Sequence, residues 1–309
     1  MKGTIMQELS LRVRNALSGP VCSIPTPFTS DGEIDFPAIG KMIDFQINAG
    51  FQMIFLTPGN SHYNCLRDKE IAELCRFTVE ATDKRALTCV CNFFYGTKDT
   101  VEFGRFAKEC GADLLLPFNP NWANSITQES ILEYYLAAAK VIPLMLIYPA
   151  MGTTPASTTV MEQAFEQSGG RILAVKDDSC TPASRRMTWA LADRCAVFSG
   201  GQKQHFLNIQ PYGATGFLST IGMFKPEVTW KFWKAMQAGD MKTAMDIVAN
   251  VDMPFFDALL KCPGSFDAGI HAIMEMYGFG KRCRRAPYYN LNDKEVEALR
   301  NELEKINLI

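Results

Sequence analysis

Short apolar runs recur along the chain at residues 21–25, 52–57, 86–92, 113–118, 143–148, 172–176, 196–200 and 216–221. Each is mostly apolar rather than alternating, the pattern of parallel strands buried on both faces. Amphipathic segments with helical spacing lie between them. Asp35 caps a stretch that carries Phe36, Ile39, Met42, Ile43 and Ile47 on one face. Asp99-Thr100-Val101-Glu102 reads as a capping box, and Thr181-Pro182 and Lys225-Pro226 place proline at a helix's first turn. Gly50, Gly111 and Gly213 fall where helices should end before the next strand. Strand–helix alternation of this kind over residues 20–239 predicts an α/β fold, a (β/α)8 TIM barrel, rather than an open doubly wound sheet. A dinucleotide-binding sheet would carry G-x-G-x-x-G after its first strand. The segment Val21-Cys22-Ser23-Ile24-Pro25-Thr26-Pro27-Phe28 has none, and no P-loop appears.

The flanks are helical. Residues 1–19 read as a short amphipathic N-terminal helix, and residues 240–309 as a C-terminal helical appendage with helices near 241–251, 266–277 and 293–306. Pro254, Pro263 and Gly264 separate the first two of these, and Pro287 precedes the third.

Composition adds limits. With 47% apolar and 21% charged residues in 309, the chain can bury one large core, as a soluble globular protein does. A net charge of −2 argues against nucleic acid or an anionic membrane surface as the main partner. Apolar stretches are too short to span a bilayer, and the N-terminal segment lacks a signal-peptide core. Ten cysteines are scattered without a CxxC pair, and His62, His205 and His271 are far apart. Reduced core thiols, no metal, no cofactor and a cytoplasmic location are expected.

Strand ends locate the chemistry, because a barrel of this kind opens its active site at the C-terminal ends of its strands. Lys176 ends the run Ile172-Leu173-Ala174-Val175 and is followed by Asp177-Asp178-Ser179. A buried lysine needs a partner or must be neutral. One desolvated there gives up its proton readily and can form a Schiff base with a carbonyl substrate. The alternative is a lysine that snorkels to solvent or pairs with Asp177 or Asp178. Tyr148 ends the fifth run, where a phenol could pass protons to the carbinolamine and imine; a packing role is the alternative. Gly59, Asn60 and Ser61 offer backbone N–H groups and short polar side chains for a carboxylate, or form a simple turn. Ser199-Gly200-Gly201 and Leu218-Ser219-Thr220 end the last two strands.

In this order, these residues resemble the dihydrodipicolinate synthase and N-acetylneuraminate lyase family of class I aldolases. The resemblance runs from about residue 20 to the end. It is carried by Pro25-Thr26-Pro27-Phe28 with Asp31-Gly32-Glu33-Ile34-Asp35, by Val175-Lys176-Asp177-Asp178-Ser179, by Ser199-Gly200-Gly201, by Gly213-Ala214-Thr215-Gly216-Phe217-Leu218-Ser219 and by the tail from Arg285-Ala286-Pro287 to Leu299-Arg300. It implies a barrel, often tetrameric, in which Lys176 forms an imine with pyruvate or another 2-oxo acid and Tyr148 shuttles protons. Gly59, Asn60, Ser61 and Leu218 would hold substrate, with Thr57, His62 and Gly200 as further candidates.

The departures narrow this. Where the family has Gly-Thr-Thr-Gly-Glu, the chain reads Pro58-Gly59-Asn60-Ser61-His62. The proton-relaying threonine falls on Gly59, the carboxylate-binding one on Asn60, and His62 stands at the glutamate. A shift of one or two residues would bring in Thr57 or Ser61. His62 is either a replacement acid–base group or a loop histidine with a structural hydrogen bond. The arginine that synthases use after strand five is missing from Tyr148-Pro149-Ala150-Met151-Gly152-Thr153, and Pro117-Phe118-Asn119-Pro120-Asn121-Trp122 replaces a tyrosine-bearing stretch. Trp122, Phe93, Phe94 and Tyr95 could shape a pocket or pack against helices. The reading is a Schiff-base lyase or aldolase acting on a pyruvate-type 2-oxo acid and an aldehyde other than the synthase substrate, in a homo-oligomer, tetramer or dimer. A dehydratase or hydratase-aldolase of the same family, or a non-catalytic carboxylate-binding paralogue, is the alternative.

Overall fold

The computed structural model describes residues 2–93, 96–119, 125–148, 155–179 and 181–309. Its strands are β1 (Pro20–Ser23), β2 (Met53–Phe55), β3 (Leu87–Cys91), β4 (Leu114–Leu116), β5 (Leu144–Tyr148), β6 (Ile172–Asp177), β7 (Ala196–Ser199) and β8 (Gly216–Leu218). They close in chain order into a parallel barrel, β8 pairing back onto β1. Helices α2 (Phe36–Asn48), α3 (Asp68–Thr82), α4 (Thr97–Cys110) and α5 (Gln128–Ala139) follow the first four strands. Helices α6 (Thr158–Gln167), α7 (Pro182–Leu191), α8 (Gln202–Ile209) and α9 (Pro226–Gln237) follow the second four. Outside this ring lie α1 (Lys2–Ala16), α10 (Met241–Ile247), α11 (Met253–Lys261), α12 (Ser265–Met276) and α13 (Asp293–Lys305).

Every strand residue is buried except Tyr148, which is half-buried. That explains why the strands read as unbroken apolar runs: the barrel interior covers one face and the helices the other. Each large apolar side chain buried this way contributes about 1.5–3 kcal/mol. Phe55 and Phe198, both fully buried, meet edge-on at 6.2 Å. The appendage joins the same core, since Phe255, Leu259, Ile273 and Leu303 belong to one apolar cluster with the strands. At the other end, Val13 and Leu17 are buried in that cluster, and Arg14 donates to the Ala192 carbonyl.

Asp35 caps α2 by accepting from the Ala38 N–H, and prolines open α7 and α9. Two local expectations need correction. Helix α4 starts at Thr97 with Gly96 as its cap, so Asp99 is not a capping residue but an acid in the first turn, favoured by the helix dipole. Thr100 is instead buried, bonded to Asn92 and Tyr134. Helix α11 was not legible either, because Pro254 reads as a breaker. It sits in the first turn of α11, preceded by a π-helical turn over Val248–Asp252, which accommodates a residue that lacks an N–H.

Candidate active site

The register between β5 and β6 decides which side chains meet Lys176. Leu144 pairs with Ile172, but Met145 pairs with Ala174, so the ladder skips Leu173. One extra residue inverts the phase of everything beyond it. Ile147 is therefore level with Lys176, and Tyr148 with Asp177. On the other side Lys176 is level with Phe198. Asp177 faces the helical layer, where its carboxylate accepts from the Ser179 N–H, the Ser184 hydroxyl and His205 Nε2. Lys176 faces the interior and is 5% exposed.

Two residues on, in phase with Lys176, Asp178 is held at the strand end by its N–H to the Tyr148 carbonyl, 2.6 Å. The Lys176 ammonium lies 2.5 Å from Asp178 Oδ1 and also contacts Oδ2. Of the two acids that could pair with Lys176, this is the one that does. Gly200 makes the room: a Cβ there would fall 1.5 Å from Asp178 Oδ1 and 3.0 Å from Lys176 Nζ. No other residue type fits without moving the pair.

Above them opens a cleft of about 310 Å³, room for a small substrate. Lys176, Gly59, Asn60, Leu218, Thr57 and Gly200 all line it, so the structure brings six of the expected site residues together. The β2 loop is tied down from within. Thr57 Oγ1 accepts from the Asn60 N–H, and the Asn60 carboxamide donates to the Ser23 hydroxyl at 2.7 Å.

Three expected residues stand elsewhere. Tyr148 does not line the cleft, because the skipped Leu173 turns it onto the Asp177 face. Burial, then the Asp177 carboxylate, pushes its phenol up, which disfavours the phenolate. Ser61 is fully buried and structural: its hydroxyl accepts from the Thr57 N–H and donates to the Ile24 carbonyl, 2.7 Å. His62 adopts a left-handed conformation and turns away from the cleft, its Nε2 2.8 Å from Nε2 of His271. One Nε2 must donate and the other accept, and burial disfavours a charge on either ring. Burial, with Arg284 nearby, lowers His62 to about 4. Phe94, Tyr95, Trp122 and the segment 149–153 lie outside the described residues.

Several lining residues were not anticipated. Asp178 was visible only as a charge partner, although strand alternation places it on the Lys176 side. Thr220 has a buried hydroxyl with no hydrogen-bond partner among the described residues, and its N–H donates to the Gln202 carboxamide at 2.8 Å. Phe266 reaches in from the appendage, and with Phe118, Ile147 and Leu218 it makes an apolar wall. A larger cavity of about 560 Å³ lies between the 29–33 loop and the 283–290 tail. Its lining shares no residue with the cleft at Lys176, and its Arg285 is occupied by Glu70.

A sequence profile of the dihydrodipicolinate synthetase family matches residues 16–306. The chain is 24% identical over 299 residues to the 4-hydroxy-tetrahydrodipicolinate synthase of Lachnoclostridium phytofermentans, covering 94% of this chain and 99% of that one. It is 26% identical over 233 residues to the putative 2-dehydro-3-deoxy-D-gluconate aldolase YagE of Escherichia coli, covering 74% and 76%. The crystal structure of YagE in complex with pyruvate superimposes with a TM-score of 0.83 at 22% identity, covering 94% of this chain and 99% of that one. At that identity the superposition speaks to the fold.

Proposed function

The chain belongs to the dihydrodipicolinate synthetase family, and we propose that it makes or breaks a carbon–carbon bond next to the carbonyl of a pyruvate-type 2-oxo acid through an imine on Lys176. One observation carries this reading: the Lys176 amine is almost fully buried, yet its tip forms the floor of an open cleft. An amine so placed can attack the substrate's C2, and the resulting protonated imine is the electron sink that carbon–carbon cleavage or condensation needs.

The rest of the cleft fits the two ends of such a substrate. A carboxylate beside C2 would meet the Thr57–Asn60 loop and the Thr220 hydroxyl, which has no partner among the described residues and gains an acceptor on binding. Beyond the reacting carbons the wall of Phe118, Ile147, Leu218 and Phe266 suits an aldehyde with an apolar flank. Residues 149–153 contain no arginine, so the group with which synthases grip a substrate carboxylate there is missing. The reading is therefore a lyase or aldolase with another aldehyde partner. Burial pushes the thiols of Cys75, Cys89 and Cys195 up; such protonated core cysteines suit the reducing cytoplasm. A homo-oligomer, tetramer or dimer, goes with the family, and light scattering of the purified protein tests it.

The decisive experiment is intact-protein mass spectrometry after incubation with pyruvate and sodium borohydride. A reduced adduct on the parent, absent from Lys176→Ala, is the expected result. No adduct with pyruvate or with a panel of larger 2-oxo acids would overturn the proposal.

A further inference from the structure

We propose that Asp178 is the catalytic acid–base residue of this barrel, moving the proton between the Lys176 nitrogen and the substrate oxygen as the imine forms. The inference rests on the imine reading above and assigns the proton transfers that reading requires. Three observations converge on it. Asp178 Oδ1 stands 2.5 Å from Lys176 Nζ, inside the cleft, with the carboxylate partly exposed to arriving substrate. Gly200 leaves the room this carboxylate occupies, since a Cβ there would fall 1.5 Å from Oδ1. The strand position level with Lys176 on β5 is Ile147, which has no proton to give, while Tyr148 is turned to the other face. The remaining polar side chains described around the cleft, Thr57, Asn60, Gln202 and Thr220, are hydroxyls and amides that do not accept a proton near neutral pH.

The steps balance on these groups alone. The ammonium of Lys176 passes one proton to Asp178, leaving a free amine and a carboxylic acid. The nitrogen lone pair attacks C2 of the 2-oxo acid, the N–C bond forms, and the carbonyl π pair moves to oxygen. The surplus proton on nitrogen goes to that oxygen, giving a carbinolamine. Asp178 then returns its proton to the hydroxyl, the C–O bond breaks, water leaves, and the nitrogen lone pair completes the C=N bond. The product is a protonated imine facing the Asp178 carboxylate, with one water released and no oxidant or reductant consumed. The carboxylate thus serves twice, as base to the amine and as acid to the leaving hydroxyl, and then as counter-ion to the cation it helped to make.

The test reads the rate of imine formation, by mixing with pyruvate, trapping with borohydride at successive times and weighing the intact protein. Asp178→Asn keeps the shape and loses the proton transfer; its adduct should form about 10²-fold more slowly or worse. Asp178→Ala should be similarly slow, and added formate, a carboxylate small enough for the vacated space beside Gly200, should recover at least about tenfold. Rescue by formate but not by chloride, an anion of the same charge that takes up no proton, separates proton transfer from mere charge support of the lysine. If Asp178→Asn folds poorly by circular dichroism, the alanine variant with and without formate decides the question. Trapping at the parental rate in the asparagine variant, or an alanine variant slow but indifferent to formate, overturns the role of Asp178 while leaving Lys176 in place. Absence of any adduct on the parent overturns both readings together.

Discussion

The buried pair between Lys203 and Asp252 should be worth far more to stability when half of it is removed than when all of it is. Both side chains are fully buried, with Nζ 2.8 Å from Oδ1. Lys203 lies in α8, and Asp252 in the π turn that leads into α11, so the pair joins the barrel to the appendage. Around it are the Ser219 hydroxyl at 3.4 Å from Nζ, the Gln204 carboxamide at 3.4 Å from Oδ2, and the Phe217 ring 5.9 Å beneath the ammonium. None of these can replace a lost charge. Lys203→Met keeps most of the volume and strands the carboxylate, which costs about 3–5 kcal/mol. Unfolding entropy near 60 °C is about 2.1 cal/mol/K per residue. Across 309 residues that is about 0.65 kcal/mol/K, so a loss of ~4 kcal/mol lowers Tm by about 6 °C. Asp252→Leu should do the same by stranding the ammonium. The double variant Lys203→Met/Asp252→Leu buries no charge and should melt within about 2 °C of the parent or above it. Scanning calorimetry on the four proteins gives the cycle. Single variants that melt with the parent, or a double variant as low as the sum of the singles, would show that the pair does not behave as a desolvated charge couple.

Two other outcomes follow from the geometry. Tyr148→Phe should change the rate of imine trapping by less than about threefold, because the phenol is out of phase with Lys176; a loss approaching the 10²-fold typical of a general acid or base would return the proton shuttle to Tyr148. The His62–His271 pair should make the fold acid-sensitive. Burial holds His62 near 4 and His271 well below its ordinary value, while the unfolded chain takes up protons below about 6.5. The unfolded state therefore binds more protons between those limits, and stability is complete above pH 6.5 and lost as pH falls toward 4. For His62 alone this amounts to about 2–3 kcal/mol between pH 7.5 and 4.5. Urea midpoints at the two pH values should converge in His62→Gln relative to the parent, and an unchanged pH slope in that variant would refute the assignment.

The barrel was legible because its physics is local. Burial on both faces writes itself into the chain as apolar runs: six strands lie wholly within the runs that the pattern picked out, and β1 and β6 overrun theirs by one residue, Pro20 and Asp177. Lys176 was legible for the complementary reason, a charge at the end of such a run. What escaped depends on geometry that counting cannot supply. Tyr148 was expected beside Lys176 as the end residue of a neighbouring strand, whereas the register, which skips Leu173, sets it level with Asp177. His62 has a partner 209 positions away, His271. Phe266 enters the cleft from α12, an element that sequence periodicity assigns only to an appendage. Ser61 shows the limit of residue type as a guide, since its hydroxyl is consumed in tying the loop to β1.

Two lysine–aspartate pairs in one barrel, of nearly equal separation, differ in what they can do because they differ in access. Lys203 and Asp252 are sealed on all sides, so no substrate can reach either charge, and the pair acts only as a clasp. Lys176 and Asp178 are also close, but the carboxylate is 23% exposed and both groups line the cleft. The same carboxylate that allows a lysine to be buried there is the nearest base to its nitrogen. Stability and reactivity at this strand end thus draw on one contact. The room for it comes from Gly200, and the strand neighbour of Lys176 on β5 is the apolar Ile147. Bound substrate would complete the exclusion of water and strengthen the interaction between the forming imine cation and its counter-ion. Opening to the cleft, rather than distance, is what separates the reagent from the clasp.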